Sequence, residues 1–163
     1  MKTIFLPEKE IKERKSIENS KISKIDINNL TDEEQISLIN KFYLQNTNIY
    51  NDLIGKEINK KLGGYKQQDI EKKIFNKNIF VDLDFIIEQL VISKLKCYYC
   101  KNNMKILYTK SRDMTQWSID RINNKEGHNS NNILISCLAC NLQRRCKDKD
   151  KFYYTKNLKI NKI

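Results

Sequence analysis

Apolar residues recur at helical spacing from residue 31 onward. Thr31 and Glu34 form a capping-box pattern, in which each side chain bonds the backbone N–H of the other, and this predicts the start of a helix. Ile36, Ile39 and Phe42 follow at intervals of three residues, as on one face of a helix. A stripe of this kind is expected to belong to the hydrophobic core, and it carries no cofactor signature.

Further helices are predicted before residue 93. Leucine and isoleucine recur at helical spacing over residues 48–62, and the pair Gly63-Gly64 is expected to stop that helix. A short helix is predicted over residues 68–75. Asp82 has the position of an N-cap, and the helix after it carries an apolar stripe of Phe85, Ile86, Leu90 and Val91. We expect these helices to pack on the rest of the chain or to support a homodimer.

The pattern changes to short strands and turns after Cys100. Strands are predicted for residues 106–108, 117–120 and 133–135, and a polar loop for residues 123–132. Helical character returns over residues 138–145. The expected order is therefore strand, loop, strand and helix.

These patterns predict an α+β protein with three parts. Residues 1–30 are charged and patchy in apolar content, so they are expected to be a flexible or partly helical leader. Residues 31–93 form a helical region, and residues 94–163 form a small domain with a basic tail. The aromatic residues 152–154 in that tail are expected either to pack back on the domain or to stack on single-stranded nucleic acid.

Two Cys-x-x-Cys pairs indicate a metal site in the second half. Cys97 and Cys100 form the first pair and Cys137 and Cys140 the second, and such spacing is typical of structural zinc bound by four thiolates. Zinc of this kind contributes on the order of 10 kcal/mol to folding. Burial as small hydrophobic residues is the alternative. Cys146 is left over and is interpreted as an incidental thiol.

The cysteines and the N-terminus also bear on location. No secretory signal is recognisable near Met1, so the four thiols indicate a reducing, intracellular compartment such as cytoplasm or nucleus. No long apolar stretch or basic amphipathic helix is present, so a membrane is not the expected partner.

The positive charge is confined to the cysteine-bearing half. Residues 94–163 contain 16 Lys and Arg and 5 Asp and Glu, whereas residues 1–93 contain 15 of each, so this half carries the whole formal charge of +11. That asymmetry favours a nucleic-acid partner, DNA first and RNA second. Arg144, Arg145 and Lys147 follow the second cysteine pair and are expected to contact phosphates or to form a solvated helix face.

The stretch SIDRINNKEGHNSNNILISCLACN resembles the HNH, or ββα-metal, nucleases. Asp120 and Arg121 match the Asp-His step of that family, Asn132 matches its central Asn, and Asn141 matches the residue after its Cys-x-x-Cys. The resemblance covers roughly residues 96–147 and implies a treble-clef fold. The amino-acid sequence around these residues is also similar to a subgroup associated with large DNA viruses. That similarity would place the protein at a viral replication site.

The resemblance implies roles for the matched residues. Asp120 and Asn141 would hold a catalytic Mg²⁺ or Mn²⁺, and Asn132 would orient the site. Arg121 departs from the family, because a guanidinium stays protonated and cannot act as the general base. It would instead clamp the scissile phosphate. The alternative interpretation, which does not use the family resemblance, is that three of these residues form structural hydrogen bonds: Asp120, Asn132 and Asn141.

The general base would then come from elsewhere. His128 is the only histidine in the chain and is the first candidate. Tyr108 and a metal-bound hydroxide are the others. The opposing interpretation of His128 is a loop residue that packs beside Gly127.

These observations predict a metal-dependent DNA endonuclease with a structural zinc. The alternative is a catalytically inactive zinc protein that binds nucleic acid, for example in transcription or genome packaging. A zinc-containing protein-interaction adaptor would explain the cysteines but not the charge asymmetry.

Overall fold

The structure is a computed structural model that describes residue 27 and residues 29–158. Its elements are α1 (Asp32–Tyr43), α2 (Asn51–Glu71), α3 (Leu83–Ile92), β1 (Trp117–Arg121), β2 (Ile133–Cys137), α4 (Leu138–Arg144) and α5 (Lys149–Asn157). The predicted α+β class is confirmed. The leader predicted for residues 1–30 lies outside the described residues, apart from residues 27, 29 and 30.

Helix α1 begins where the capping box predicts. The Thr31 hydroxyl accepts a bond from the Glu34 N–H at 3.2 Å, and the Thr31 N–H donates to the Glu34 carboxylate at 2.7 Å. Ile39 is fully buried on its inner face. Gln35 is buried as well, and its side-chain amide bonds the backbone of residues 106 and 107 at 3.0–3.1 Å.

The strand predicted for residues 106–108 is therefore wrong. The N–H groups of Ile106 and Leu107 donate to the Gln35 side chain, which takes the place of a neighbouring strand. Buried backbone groups need partners, and a long-range side chain meets that need here. The three apolar residues are buried, but the backbone of Ile106 and Leu107 bonds a side chain rather than a strand.

Helix α2 is longer than predicted. It runs over 21 residues and passes through Gly63 and Gly64, which were expected to end it. Neither glycine adopts a left-handed conformation, and both lie on the exposed side of the helix. The separate helix predicted for residues 68–75 is also wrong, because residues 68–71 form the last turn of α2 and its C-cap is Lys72.

Helix α3 confirms the predicted N-cap. The Asp82 carboxylate accepts from the Phe85 N–H at 2.8 Å. Ile86 and Leu90 are fully buried and Ile87 nearly so, whereas Phe85 lies at the edge of the core. Caps of this kind stabilise a helix by about 1 kcal/mol.

Strands β1 and β2 form an antiparallel pair, as predicted for residues 117–120 and 133–135. Ser118 pairs with Ser136 and Asp120 with Leu134. Trp117 is fully buried at the start of β1. The polar loop predicted for residues 123–132 joins the two strands, and α4 follows β2 directly and contacts both strands.

One hydrophobic core joins the helical region to the hairpin. It contains residues of α1, α2 and α3 as well as Trp117 and Ile119 of β1. Phe152 of α5 packs edge-on against Tyr99 with ring centroids 4.9 Å apart, so that part of the aromatic tail lies on the protein. None of the described helices is both long enough and apolar enough to span a bilayer.

Candidate functional site

The four cysteines of the two Cys-x-x-Cys pairs converge. The sulfur atoms of Cys97, Cys100, Cys137 and Cys140 all lie within 4.8 Å of one another, and those of Cys100 and Cys137 are 3.9 Å apart. Tetrahedral zinc with Zn–S bonds of about 2.3 Å requires sulfur–sulfur distances of about 3.8 Å. The donors and their spacing therefore fit one zinc ion. It would link the turn after α3 to the junction of β2 and α4.

The thiols of this group differ in how readily they lose a proton. A hydrogen bond with Cys137 lowers the pKa of Cys97 to about 5, and the same bond raises the pKa of Cys137. Burial raises the pKa of Cys140 to about 12. A thiolate therefore forms readily at one position, and a bound metal ion would displace the remaining protons. Cys146 is exposed and does not belong to the group.

A cleft of about 520 Å³ brings most of the other candidates together. Residues singled out in the sequence that line it are Asp120, Arg121, His128, Asn141 and Arg145. Helix α2 and its C-cap contribute Tyr65, Gln68 and Lys72 to the same cleft. The helical region thus builds part of the site, a role that the sequence did not indicate.

Asp120 is buried and both of its carboxylate oxygens are engaged. One oxygen accepts from the Arg144 Nε at 2.5 Å and from the Tyr99 hydroxyl at 2.7 Å, and the other accepts from the Arg144 Nη2 at 3.1 Å. A ligand of Mg²⁺ must direct a free lone pair at the ion. Among the described residues, Oδ1 accepts a single bond, so one of its lone pairs is unused, whereas the Arg144 guanidinium already balances the charge of the carboxylate.

Arg144 lies in the interior rather than on a phosphate-binding surface. Only 1% of the residue is exposed. Besides Asp120, its guanidinium bonds the backbone carbonyls of Lys147, at 2.6 Å, and of Arg121. It is thus not available to a phosphate from outside, contrary to one of its two predicted roles, and it is not part of a solvated face. Arg145 and Lys147 are exposed and remain candidates for phosphate contact.

Arg121 is held between the hairpin loop and helix α2. Its Nη1 donates to the carbonyl of Glu126 at 3.2 Å and lies 3.7 Å from a carboxylate oxygen of Asp69. The residue is mostly buried but still lines the cleft. Its guanidinium therefore contributes fixed positive charge to the cleft wall.

Asn132 shapes the loop that carries His128. Its Nδ2 donates to the carbonyls of Asn123 at 3.0 Å and Gly127 at 2.9 Å, and its Oδ1 accepts from the Asn123 N–H at 2.8 Å. These bonds close the loop on itself. Asn132 is buried and acts as a clamp rather than as a residue facing the cleft.

His128 is bound by a carboxylate from a distant part of the chain. Its backbone N–H donates to Asp69 Oδ2 at 2.6 Å, and its Nδ1 lies 2.8 Å from Asp69 Oδ1. Its ring packs against that of Tyr65 with centroids 4.6 Å apart and the ring planes tilted by 36°. Burial lowers the pKa of His128, although Asp69 opposes the shift. No protein group within the described residues bonds its Nε2. Tyr108, the other candidate base, bonds Glu57 instead.

Gly127 permits this close approach of loop and helix. A Cβ atom there would lie 2.8 Å from Asp69 Oδ2 and 2.8 Å from the carbonyl oxygen of Ile74. Both distances are far below ordinary contact. The Gly-His pair in the sequence thus has a packing reason, because a side chain at position 127 would push the loop away from Asp69.

Asp69 and Tyr65 were not predicted as site residues, although the sequence contains a pattern that indicates them. Ile58, Leu62, Tyr65 and Asp69 recur at intervals of three or four residues and continue one helix face through the glycine pair. Extending the stripe beyond Gly63-Gly64 would have placed a carboxylate at the end of a buried face. Buried Asp residues are uncommon without a partner, so that position would have marked a polar contact.

Asn141 lies on α4, and its side chain contacts strand β1. Its Nδ2 donates to the Ser118 hydroxyl at 3.2 Å and to the carbonyl of Ile119 at 3.0 Å. These bonds anchor α4 to the strand and leave the side chain at the edge of the cleft. Its amide oxygen is the part that a ligand could use.

No protein-family model, curated protein or solved structure matches this chain.

Proposed function

We propose that the protein is a nuclease that hydrolyses phosphodiester bonds in nucleic acid, DNA first. The observation that carries the proposal is the shared cleft, in which His128 lies with Arg121, Asn141 and Arg145. The order of cysteine pair, β1, loop, β2, cysteine pair and α4 supports an HNH-like treble-clef interpretation of this unit.

The cleft contains the groups that phosphodiester hydrolysis requires. A base must remove a proton from the attacking water, and positive charge must stabilise the phosphate as negative charge develops. Burial lowers the pKa of His128 and so favours the neutral imidazole, whose Nε2 is able to accept a proton. Arg121 and Arg145 supply positive charge at the cleft, and Lys72 adds to it.

No step of this mechanism is assigned to a bound Mg²⁺ or Mn²⁺. The family resemblance would place such an ion on Asp120 and Asn141, but both oxygens of Asp120 are bonded to Arg144 and Tyr99. The hydrolytic chemistry proposed for this chain therefore starts from His128 and the cleft arginines. The zinc proposed for the four cysteines serves as a scaffold.

A catalytically inactive nucleic-acid-binding protein is the second candidate. The buried pair of Asp120 and Arg144 favours it, because the resemblance would make Asp120 a ligand of the catalytic metal and Arg144 bonds that carboxylate instead. The positive charge of residues 94–163 would serve binding alone equally well.

Cleavage assays with zinc-loaded protein separate the two candidates. Supercoiled plasmid and end-labelled single-stranded DNA and RNA are incubated with Mg²⁺, with Mn²⁺ or without added divalent ion. We expect nicking by the wild type, and a loss of about 10²–10⁴-fold in rate for His128→Gln with retained binding. Gln67→Ala, on the exposed side of α2, serves as the matched control and should cleave normally.

Three outcomes would contradict the nuclease proposal or the role of His128 in it. Salt-sensitive binding without nicking under any of these conditions would leave the binding protein as the explanation. Nicking that His128→Gln leaves unchanged would point to a contaminant or to a different site. Absence of both binding and nicking at low salt would favour the adaptor class.

A further inference from the structure

We propose that Asp69, on helix α2, is a positioning residue that holds the imidazole of His128 with its proton on Nδ1 and thereby directs the Nε2 lone pair into the cleft. This inference rests on the proposed nuclease function, in which His128 is the base. It assigns a role in the reaction to the helical region, which lies outside the stretch that resembles HNH nucleases.

The geometry of the Asp69 carboxylate determines the tautomer of the His128 imidazole. Asp69 Oδ2 accepts the backbone N–H of His128 at 2.6 Å, and Oδ1 faces Nδ1 at 2.8 Å. A carboxylate only accepts hydrogen bonds, so Nδ1 must carry the proton of a neutral ring. Nε2 is then unprotonated, and His128 lines the cleft. A general base needs this state.

Asp69 is suited to this task because its own position is fixed. It is fully buried, and Arg121 lies 3.7 Å from the same oxygen that faces Nδ1. The charged and titratable groups around the ring are Asp69, Arg121, Lys72 and the Tyr65 phenol. The hydrogen bond from the His128 backbone N–H to Asp69 would be enough to hold the loop in place. The second bond, to the ring, determines the orientation of the imidazole as well.

Replacing Asp69 by Asn makes a sharp test. The backbone N–H of His128 can only donate, so the Asn oxygen must face it and the Asn NH₂ group must face Nδ1. Nδ1 then has to accept, which moves the ring proton to Nε2 and removes the base from the cleft. The substitution preserves shape while reversing the tautomer.

The tautomer is directly measurable, because His128 is the only histidine in the chain. Nitrogen-15 NMR of the imidazole should show a protonated Nδ1 and an unprotonated Nε2 in the zinc-loaded wild type near neutral pH. The pattern should reverse in Asp69→Asn. In parallel, kcat for cleavage should fall by about 10²–10⁴-fold while KM stays within about twofold.

Asp52→Asn is the matched control, since it removes an exposed carboxylate from the first turn of the same helix. It should change neither the imidazole spectrum nor kcat. Zinc content and the melting temperature of each variant report on folding. Should Asp69→Asn fail to fold, the wild-type spectrum alone decides, because a proton on Nε2 there would overturn the inference.

The remaining outcomes separate the two proposals. A reversed tautomer in Asp69→Asn with unchanged kcat would overturn the positioning role while leaving nuclease activity intact. If the wild type does not cleave, the nuclease proposal fails, and the spectra still decide whether Asp69 orients the ring. A wild-type spectrum with the proton on Nδ1 that persists in Asp69→Asn would also overturn the role of Asp69.

Discussion

At the scale of single residues, the surroundings of Asp120 decide what it can do. Its place at the end of β1 suits a metal ligand, yet Arg144 and Tyr99 bond both of its oxygens. The pair is almost completely buried. A buried ion pair is costly to form, but removing one partner is costlier, because the other charge is left without compensation. Asp120 therefore has a structural role through its ion pair with Arg144.

Asp120→Asn is expected to lower the free energy of unfolding by about 3–5 kcal/mol, since Arg144 would remain buried without an opposing charge. Urea denaturation of the zinc-loaded protein measures the change. Asp150→Asn is the control, because it breaks an exposed ion pair with Lys149 and should leave the urea midpoint unchanged. If Asp120→Asn proves as stable as the wild type, the ion pair contributes little to the stability of the fold. For the same reason, a loss of cleavage in Asp120→Ala would not by itself identify a catalytic role.

At the scale of elements, helix α2 and the hairpin loop form the site together. The helix continues through Gly63 and Gly64 because the turn beyond them makes buried contacts. The hydroxyl of Tyr65 accepts the Ile119 N–H at 3.0 Å, and Asp69 accepts two bonds from His128. Each helical glycine costs about 1 kcal/mol relative to alanine. The long-range contacts outweigh that cost.

Replacing glycine by alanine should have opposite effects on stability in helix α2 and in the hairpin loop. Gly64→Ala meets open space on α2 and should raise the free energy of unfolding by about 0.5–1 kcal/mol, because alanine restricts the unfolded chain. Gly127→Ala would place a Cβ 2.8 Å from Asp69 and Ile74 and should lower it by about 1–3 kcal/mol. Thermal and urea unfolding measure both variants. Equal effects of the two substitutions would show that the loop does not pack on Asp69 as described.

At the scale of the whole molecule, two features hold the chain together. The hydrophobic core links the helical region to the hairpin, and the cysteine group links the turn after α3 to β2 and α4. The hairpin has only two strands, and such a sheet is marginal alone. A zinc ion at the cysteines would therefore stabilise the unit that carries the cleft.

The purified protein is expected to contain one zinc ion per chain, and Cys97→Ser should lose most of it. Removal of zinc with a strong chelator should unfold the hairpin and lower the melting temperature, because the free energy of binding contributes to folding. Elemental analysis and circular dichroism measure the two effects. Cys146→Ser is the control and should retain the metal, since that thiol lies outside the group. Zinc content that survives Cys97→Ser would contradict the assignment of this residue as a ligand.

The features that the sequence predicted well depend on nearby residues. The capping box of α1, the cap of α3 and the spacing within each Cys-x-x-Cys pair involve neighbours within a few positions, and each strand was predicted from its own residues. The predictions failed where a distant partner intervened. Residues 106–108 bond Gln35 rather than a strand, and Arg144 turns inward to Asp120.

The sequence by itself thus determined the α+β class, the zinc-compatible cysteine group and the candidates Arg121, His128 and Asn141, because residue type and short spacing are enough for these. Only the tertiary structure decided which of them share a cleft and what each one bonds. Asp69 and His128 are 59 positions apart, and Asp120 and Arg144 are 24 apart. Local patterns do not encode such pairings, since they arise when separate elements pack and every buried polar group must find a partner.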